Sequence, residues 1–437
     1  MGMLDINYIR ANRQAVEDAI KNKGYAGEID LAAVLQLDDQ RKSLSQEIDN
    51  LRQERNQISA KMKNGKPDQA LIERGKTIKQ ELGDLEKQLA DVETEYIAKL
   101  KQIPNVPEPD VPVGLSEDEN EVAEVVGELP KFSFKPKNHY EIGIERGWID
   151  KERAAKVTGS RFAYIKGDMV KLQMAIVNFV MSSLSNEDVI KEIIKKNKLK
   201  GISSKPFTLV LPPLMLRTEM YDAMDRLEPR EDRYKIEGEE LWLQGSAEHV
   251  LGSMHAGEIF PETELPIRYL GYATSFRQEA GTYGKDMEGI IRMHQFDKLE
   301  MESFSTKETS RTEHELFVAI QRWMLERLHL PYRVIRKCTY DIGKPDARGI
   351  DMEVWLPGQD KYRETHTADY MTDYQSRRLN TRVRRENGDV ELVHTNDATA
   401  FALGRIMIAI IENYQNEDCT IRIPEVLRKY LDGKEIL

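Results

Sequence analysis

Residues 274–302 read TSFRQEAGTYGKDMEGIIRMHQFDKLEME, and the alternation within this stretch decides the fold. Its first leg closes an apolar-flanked run, YLGYATSFRQE, that ends on Arg277 and Glu279. Gly281, Gly284 and Gly289 punctuate the middle, and a second strand-like run, IIRMHQFDKLEM, follows. The pattern predicts a β-hairpin with a long, mobile tip. Successive strand side chains point to opposite faces, so Arg292, His294, Phe296, Lys298 and Glu300 share one face. Arg277 and Glu279, two apart, are co-facial by the same rule. Such a surface offers a guanidinium, two carboxylates and an aromatic ring, a chemistry suited to a nucleotide and a small zwitterion.

A chain of 437 residues has room for two or three domains. Charged residues make up 32% and the net charge is −11, so any contact with RNA must come from a local basic patch. The two cysteines, Cys338 and Cys419, argue against a disulfide scaffold or a Cys-rich zinc site and fit a reducing compartment. No apolar run is long enough to span a bilayer, and the N-terminus lacks a signal-peptide layout. Ile6 stands where a myristoylation signal needs Ser or Thr. A soluble, cytoplasmic protein with no membrane partner is expected.

From Asp30 to Ile103 the pattern changes to heptads. Leu37, Leu44, Leu51 and Ile58 are seven apart, interleaved with Ile48 and Met62; after Asn64–Asp68, two series follow, Leu71, Ile78, Leu85, Val92 and Leu82, Leu89, Tyr96, Ile103. These predict an antiparallel coiled-coil hairpin over about 30–103. Its distal half is basic, with Arg52, Arg55, Lys61, Lys63, Lys66, Arg74, Lys76 and Lys79, whereas Asp38, Asp39, Asp91, Glu93 and Glu95 make the base acidic. A solvated helix face accounts for such charges by itself. A basic, protruding tip on an acidic protein also suits RNA, gripped by shape and phosphates. Gly75-Lys76-Thr77 is not a phosphate loop, because Ala70 replaces the first glycine and no strand precedes it. Residues 104–131 read as a Pro-rich, acidic connector. Beyond it, Gly159–Tyr164 reads as a strand, 172–184 as an apolar helix, and 186–205 as an additional charged, Lys-rich helix with a Gly-Ser terminus, a surface elaboration. PFTLVLPP then reads as a strand and LRTEMYDAMDRL as a helix.

The sequence FRQEAG followed by HQFDKLE closely resembles motif 2 of class II aminoacyl-tRNA synthetases, in the form carried by seryl-tRNA synthetases. MLDI..IR.N...V near the start, IPNVP..DVPVG in the connector, Pro212-Pro213, Gly404-Arg405 with ENYQ, and IPEVLRKYLDGKEI resemble the same family. The resemblance implies an α+β fold. A helical tRNA-binding arm (1–103) and a linker (104–131) precede a class II catalytic domain (132–437), an antiparallel β-sheet flanked by helices, in a homodimer. It implies activation of L-serine by ATP with Mg²⁺ and transfer to tRNA(Ser), with tRNA(Sec) a second candidate acceptor. Arg52, Arg55, Lys61, Lys63, Arg74, Lys76 and Lys79 would be the arm's RNA contacts.

The resemblance also implies residue roles. Arg277 and Arg405 would be catalytic, bridging the α-phosphate and meeting the γ-phosphate. Gln278, Glu279, Met293, Phe296, Glu364, Thr365, His366 and Thr367 would complete the ATP site, and Glu364 with Thr367 would hold Mg²⁺. Ser246, Ala247, Glu248, Arg277, Glu300 and Thr399 would bind serine. Several positions depart from the family pattern. Thr365-His366-Thr367-Ala368-Asp369-Tyr370 replaces Ile-Ser-Ser-Cys-Ser-Asn, and Asp397-Ala398-Thr399-Ala400 replaces Asn-Gly-Ser-Gly. His366 with Asp369 reads as a structural, hydrogen-bonded histidine in preference to a catalytic pair. The alternatives are a ligase that loads another small amino acid onto a carrier protein, and a degenerate RNA-binding paralogue. The long arm argues against the first; Arg277, Glu279, Glu300, Glu364 and Arg405 together argue against the second.

Overall fold

The computed structural model describes residues 4–63, 68–280 and 289–437; Lys66, Gly281 and Gly284, and with them the expected mobile tip, lie outside the described residues. The chain forms two compact units, Met1–Val106 and Pro107–Leu437. In the first, two short helices precede the long helices α1 (Leu31–Lys63) and α2 (Gln69–Leu100). The Asp68 carboxylate caps α2 by accepting from the Ala70 amide at 3.1 Å. Ile48, Ile58, Ile78 and Leu82 are buried in the seam, flanked by Leu51, Met62, Leu71, Leu85 and Leu89, all at the expected heptad positions. At 33 and 32 residues, each helix is about 50 Å long. Asp38, expected in the acidic base, is fully buried and collects Arg10 at 2.7 Å, Arg41 at 2.9 Å and Lys42 at 2.7 Å.

The second unit is built on one eight-stranded sheet. In chain order its strands are β1 (Glu121–Val126), β2 (Thr208–Val210), β3 (Ile267–Phe276), β4 (Gln295–Ser305), β5 (Tyr332–Arg336), β6 (Arg348–Leu356), β7 (Lys361–Thr372) and β8 (His394–Ala402). Their order across the sheet is β1-β5-β6-β7-β8-β4-β3-β2. Every pairing is antiparallel except that of β2 with β3. The expected connector thus contributes a strand of its own. Its residues gave no sign of this because β1 is an edge strand, exposed over Glu121–Val125, and needs no apolar alternation.

Helices α3 (Asp168–Leu184), α4 (Glu187–Lys196), α5 (Ser310–Arg327) and α6 (Leu403–Asn413) share one hydrophobic core with Leu299, Met301, Met352, Val354, Ala368 and Ala398 of the sheet. The Lys-rich elaboration is shorter than expected: α4 stops at Lys196, and its Ile190 and Ile193 are fully buried in the main core. The strand expected over Gly159–Tyr164 reduces to Tyr164–Ile165, paired with Ile149–Asp150. Gly159 and Arg161 have φ of +93° and +60°, which a strand does not contain. Among the described residues no helix is long and apolar enough to cross a membrane.

A buried ion pair joins α5 to the sheet. Arg268 of β3 donates to Glu313 through Nε at 2.8 Å and Nη2 at 2.7 Å, and Nη2 also meets the Ser203 carbonyl at 2.9 Å. The two side chains are 0% and 1% exposed. Removing one partner strands the other charge, so Glu313→Ala should cost about 3–5 kcal/mol in urea denaturation. Replacing both, as Arg268→Met with Glu313→Leu, should cost much less. Equal losses in the two variants would refute this account.

Candidate active site

Alternation along β4 sends Leu299 and Met301 into the helix-covered core and Lys298, Glu300 and Glu302 to the opposite face. In the neighbouring strands, Thr399 stands opposite Glu300, while Asp397 stands opposite Glu302 on one side and Asp369 on the other. Above this polar face lies a cavity of about 360 Å³. It is lined by Arg277 and Glu279 from the end of β3, Met293 and Phe296 from the return leg, Glu364, Thr365 and Thr367 from β7, Thr399 from β8, and Arg405 from α6. Segments more than a hundred residues apart therefore meet at one place.

Several of these side chains are pre-positioned. Arg277 Nε donates to the Gly245 carbonyl at 2.9 Å, and its guanidinium lies 5.5 Å from the Phe296 ring centre. Arg292 Nη1 pairs with Glu279 at 2.6 Å. Arg405, in the first turn of α6, pairs with Glu364 at 2.9 Å. Alternation is not what brings Arg277 and Glu279 together: β3 stops at Phe276, and Glu279 has φ +53°. His294 likewise precedes β4 and turns away from the cavity, its ring Nδ1 bonding the Arg277 carbonyl at 3.0 Å.

Five expected contacts have no side chain lining the cavity, Glu300 among them: it is fully buried and paired with Lys298. Gln278 is exposed and its Nε2 donates to the Arg233 carbonyl at 2.8 Å. Ala247 is buried in a small apolar cluster with Leu251 and Ala273. The His366 ring is fully buried, 2.8 Å from Thr365 Oγ1 through Nδ1 and 5.2 Å from the Phe401 ring, and burial lowers its pKa to about 3. Ser246 lies just behind the lining, where it donates to Glu300 Oε2 at 3.2 Å and accepts from Lys298 Nζ at 3.1 Å. On the arm, Arg52 pairs with Glu86 at 2.9 Å and Arg74 with Glu54 at 2.7 Å, so these two cations also tie the helices together. Arg55, Lys61, Lys63, Lys76 and Lys79 are exposed.

The residue that sequence reasoning missed is Arg226. Its guanidinium lines the cavity 2.9 Å from Glu248, 3.3 Å from Asp346 and 3.7 Å from Asp397. It lies in a stretch expected to be helical, but that helix ends at Ala223 and Asp225 adopts φ +57°, so helix periodicity does not carry to Arg226. Burial pushes the Glu248 carboxyl up, yet Arg226 and a bond from His249 hold it well below its ordinary value. The Asp397 and Glu302 carboxyls rise well above theirs through burial and neighbouring acids, chiefly Glu248. Lys298 forms a short ion pair with Glu300.

Residues 3–107 match the seryl-tRNA synthetase N-terminal domain, and residues 232–414 match the tRNA synthetase class II core domain (G, H, P, S and T). The serine–tRNA ligase of Desulforapulum autotrophicum is 38% identical, with 100% of this chain and 99% of that protein covered. That of Symbiobacterium thermophilum is 39% identical, with 98% of each covered. The seryl-tRNA synthetase of Pyrococcus horikoshii, solved in complex with ATP, superposes with a TM-score of 0.89 at 35% identity over 99% of both chains.

His249 supplies a test of the site's electrostatics. Its Nδ1 accepts from the Gly245 amide at 3.2 Å, and burial lowers its pKa to about 4. An unfolded histidine titrates near 6.5, so the fold's advantage is complete above that pH and is lost as pH falls toward about 4. His249→Asn, whose Oδ1 can take the same amide, should lose stability less steeply by about 1.4 kcal/mol per pH unit in that window. Parallel stability curves from urea denaturation would contradict the assignment.

Proposed function

This chain belongs to the serine–tRNA ligase family of class II aminoacyl-tRNA synthetases, and on that premise we propose that it activates L-serine with ATP and transfers it to tRNA. In the first step the serine carboxylate attacks the α-phosphorus in line, and the bond to pyrophosphate breaks. The ribose hydroxyl at the 3′ end of the tRNA then attacks the adenylate carbonyl, and AMP leaves. No protein nucleophile is required, so catalysis is positioning and charge stabilisation. The observation that carries this reading is the convergence of Arg277, Glu248, Glu364 and Arg405 on one cavity.

Each side chain has work that its geometry suits. Arg277, steadied by Gly245 and Phe296, keeps its terminal nitrogens for a forked contact to phosphate and carboxylate. Glu279 accepts from the adenine amino group, Phe296 stacks on the ring, and Met293 offers backbone contacts. Arg405, at a helix start, meets the γ-phosphate, which competes with Glu364 for the guanidinium. Glu364 and Thr367 line the same cavity with oxygen ligands only, the set a hard cation prefers; bound there, Mg²⁺ would offset phosphate charge. Glu300, Glu248, Ser246 and Thr399 receive the ammonium and hydroxyl of serine. A pocket that hydrogen-bonds a hydroxyl rejects alanine, whose binding would leave polar groups unpaired.

The remaining elements belong to the same proposal. The arm grips tRNA(Ser), with tRNA(Sec) a second acceptor. A homodimer is supported by the exposed apolar residues Val170 and Met174 on α3 and Leu209, Leu211 and Met215 around β2. Two free cysteines suit a cytoplasmic setting.

Pyrophosphate exchange with serine, threonine, alanine and glycine tests the chemistry. Serine should drive it, and Glu300→Ala should cut serine-dependent exchange about a hundredfold or more. Equal exchange with alanine would overturn the assignment. Replacing Arg55, Lys61, Lys76 and Lys79 with alanine should leave exchange intact while raising the KM for tRNA about tenfold and flattening its salt dependence. An unchanged KM would remove the arm from the mechanism.

A further inference from the structure

The amino acid end of the cavity holds more acid than the ammonium of serine can answer. Glu248, Asp346 and Asp397 surround Arg226, Asp369 adds its field, and Glu302 stands across the strand gap from Asp397. Five acidic side chains thus gather around one guanidinium. The other cations nearby are engaged: Lys298 pairs with Glu300, and Lys337 lies in the field of Asp341, Asp346, Asp351 and Asp369. Both oxygens of Asp397, both of Glu302 and Oε1 of Glu300 accept no hydrogen bond, although all three side chains are fully buried.

Oxygens of Glu248, Glu300 and Asp397 all lie within 4.8 Å of one another. Three acceptors about 2.8 Å from a common nitrogen stand about 4.6 Å apart, so the spacing suits an ammonium. Asp397 shares a face of β8 with Thr399, the residue assigned to the hydroxyl of serine, two positions along. A group on the substrate β-carbon therefore lies beside this acid.

We propose that the pocket also takes a small amino acid bearing an ammonium on its β-carbon, L-2,3-diaminopropionate, which replaces the hydroxyl of serine by a cation. The inference rests on the adenylate-forming reading above. The chemistry is unchanged: a carboxylate oxygen bonds to the α-phosphorus, pyrophosphate leaves, and the β-ammonium keeps its protons. Asp397 acts as a specificity residue, with Asp369 and Glu302 as its neighbouring acids across the strand pairings.

Pyrophosphate exchange with the full-length protein tests this directly. L-2,3-Diaminopropionate should support exchange with kcat/KM within about tenfold of that for serine. Asp397→Asn, which removes the acid and keeps the side-chain shape, should lower the ratio of diaminopropionate to serine about a hundredfold, and its exchange with serine checks that it folds. Exchange with serine alone would overturn the inference and leave the parent reading standing; exchange with neither would overturn both. An unchanged ratio in Asp397→Asn would also overturn it. So would a divalent ion, found by elemental analysis of dialysed protein and lost in that variant, because the same three oxygens would then be a metal site.

Discussion

The catalytic unit depends on burying unlike chemistry on the two faces of one antiparallel sheet. β4 is the clearest case: Leu299 and Met301 join a core closed by α3, α5 and α6, while Lys298, Glu300 and Glu302 take the opposite, polar face, where Lys298 lines the cavity. A one-residue slip would exchange the two sets and destroy both core and site. The pairings of β4 with β3 and β8 resist such a slip, because they also align Glu300 with Thr399 and Glu302 with Asp397.

Burying acids at that density is tolerable only where cations are fixed nearby. Arg226 serves Glu248, Asp346 and Asp397; Lys298 serves Glu300; Arg268 performs the same task for Glu313 on the helical side. These ion pairs differ in consequence. The Arg268–Glu313 pair is complete and acts as a structural tie, whereas the group around Arg226 leaves carboxylate oxygens without hydrogen bonds and so retains capacity for a charged ligand. Preorganised, partly unsatisfied polar groups of this sort are what a binding site needs and what a core avoids.

The helical arm follows a simpler rule. Its seam obeys the heptads, and its exposed faces carry the charge. Arg52 and Arg74 show the limit of reading such charge as RNA-binding capacity, because each pairs with a glutamate of the other helix. Exposed ion pairs of this kind are weak and exchangeable, so phosphate can compete for them. Arg55, Lys61, Lys76 and Lys79 carry the basic character of the distal half.

The sequence by itself determined the coiled-coil hairpin, the β3–β4 hairpin, and most of the side chains that line the cavity, because periodicity and short motifs are local properties that neighbouring residues enforce. Tertiary structure alone decided the rest. Arg226 reached the site through a helix ending early and a left-handed Asp225, neither of which leaves a periodic trace. His366 was sent into the core and Gln278 toward Arg233 by strand ends and a bulge at β7 that shift which face a residue takes. The electrostatic balance around Asp397 belongs wholly to the fold, since it depends on charges drawn from four distant segments whose separation only packing sets.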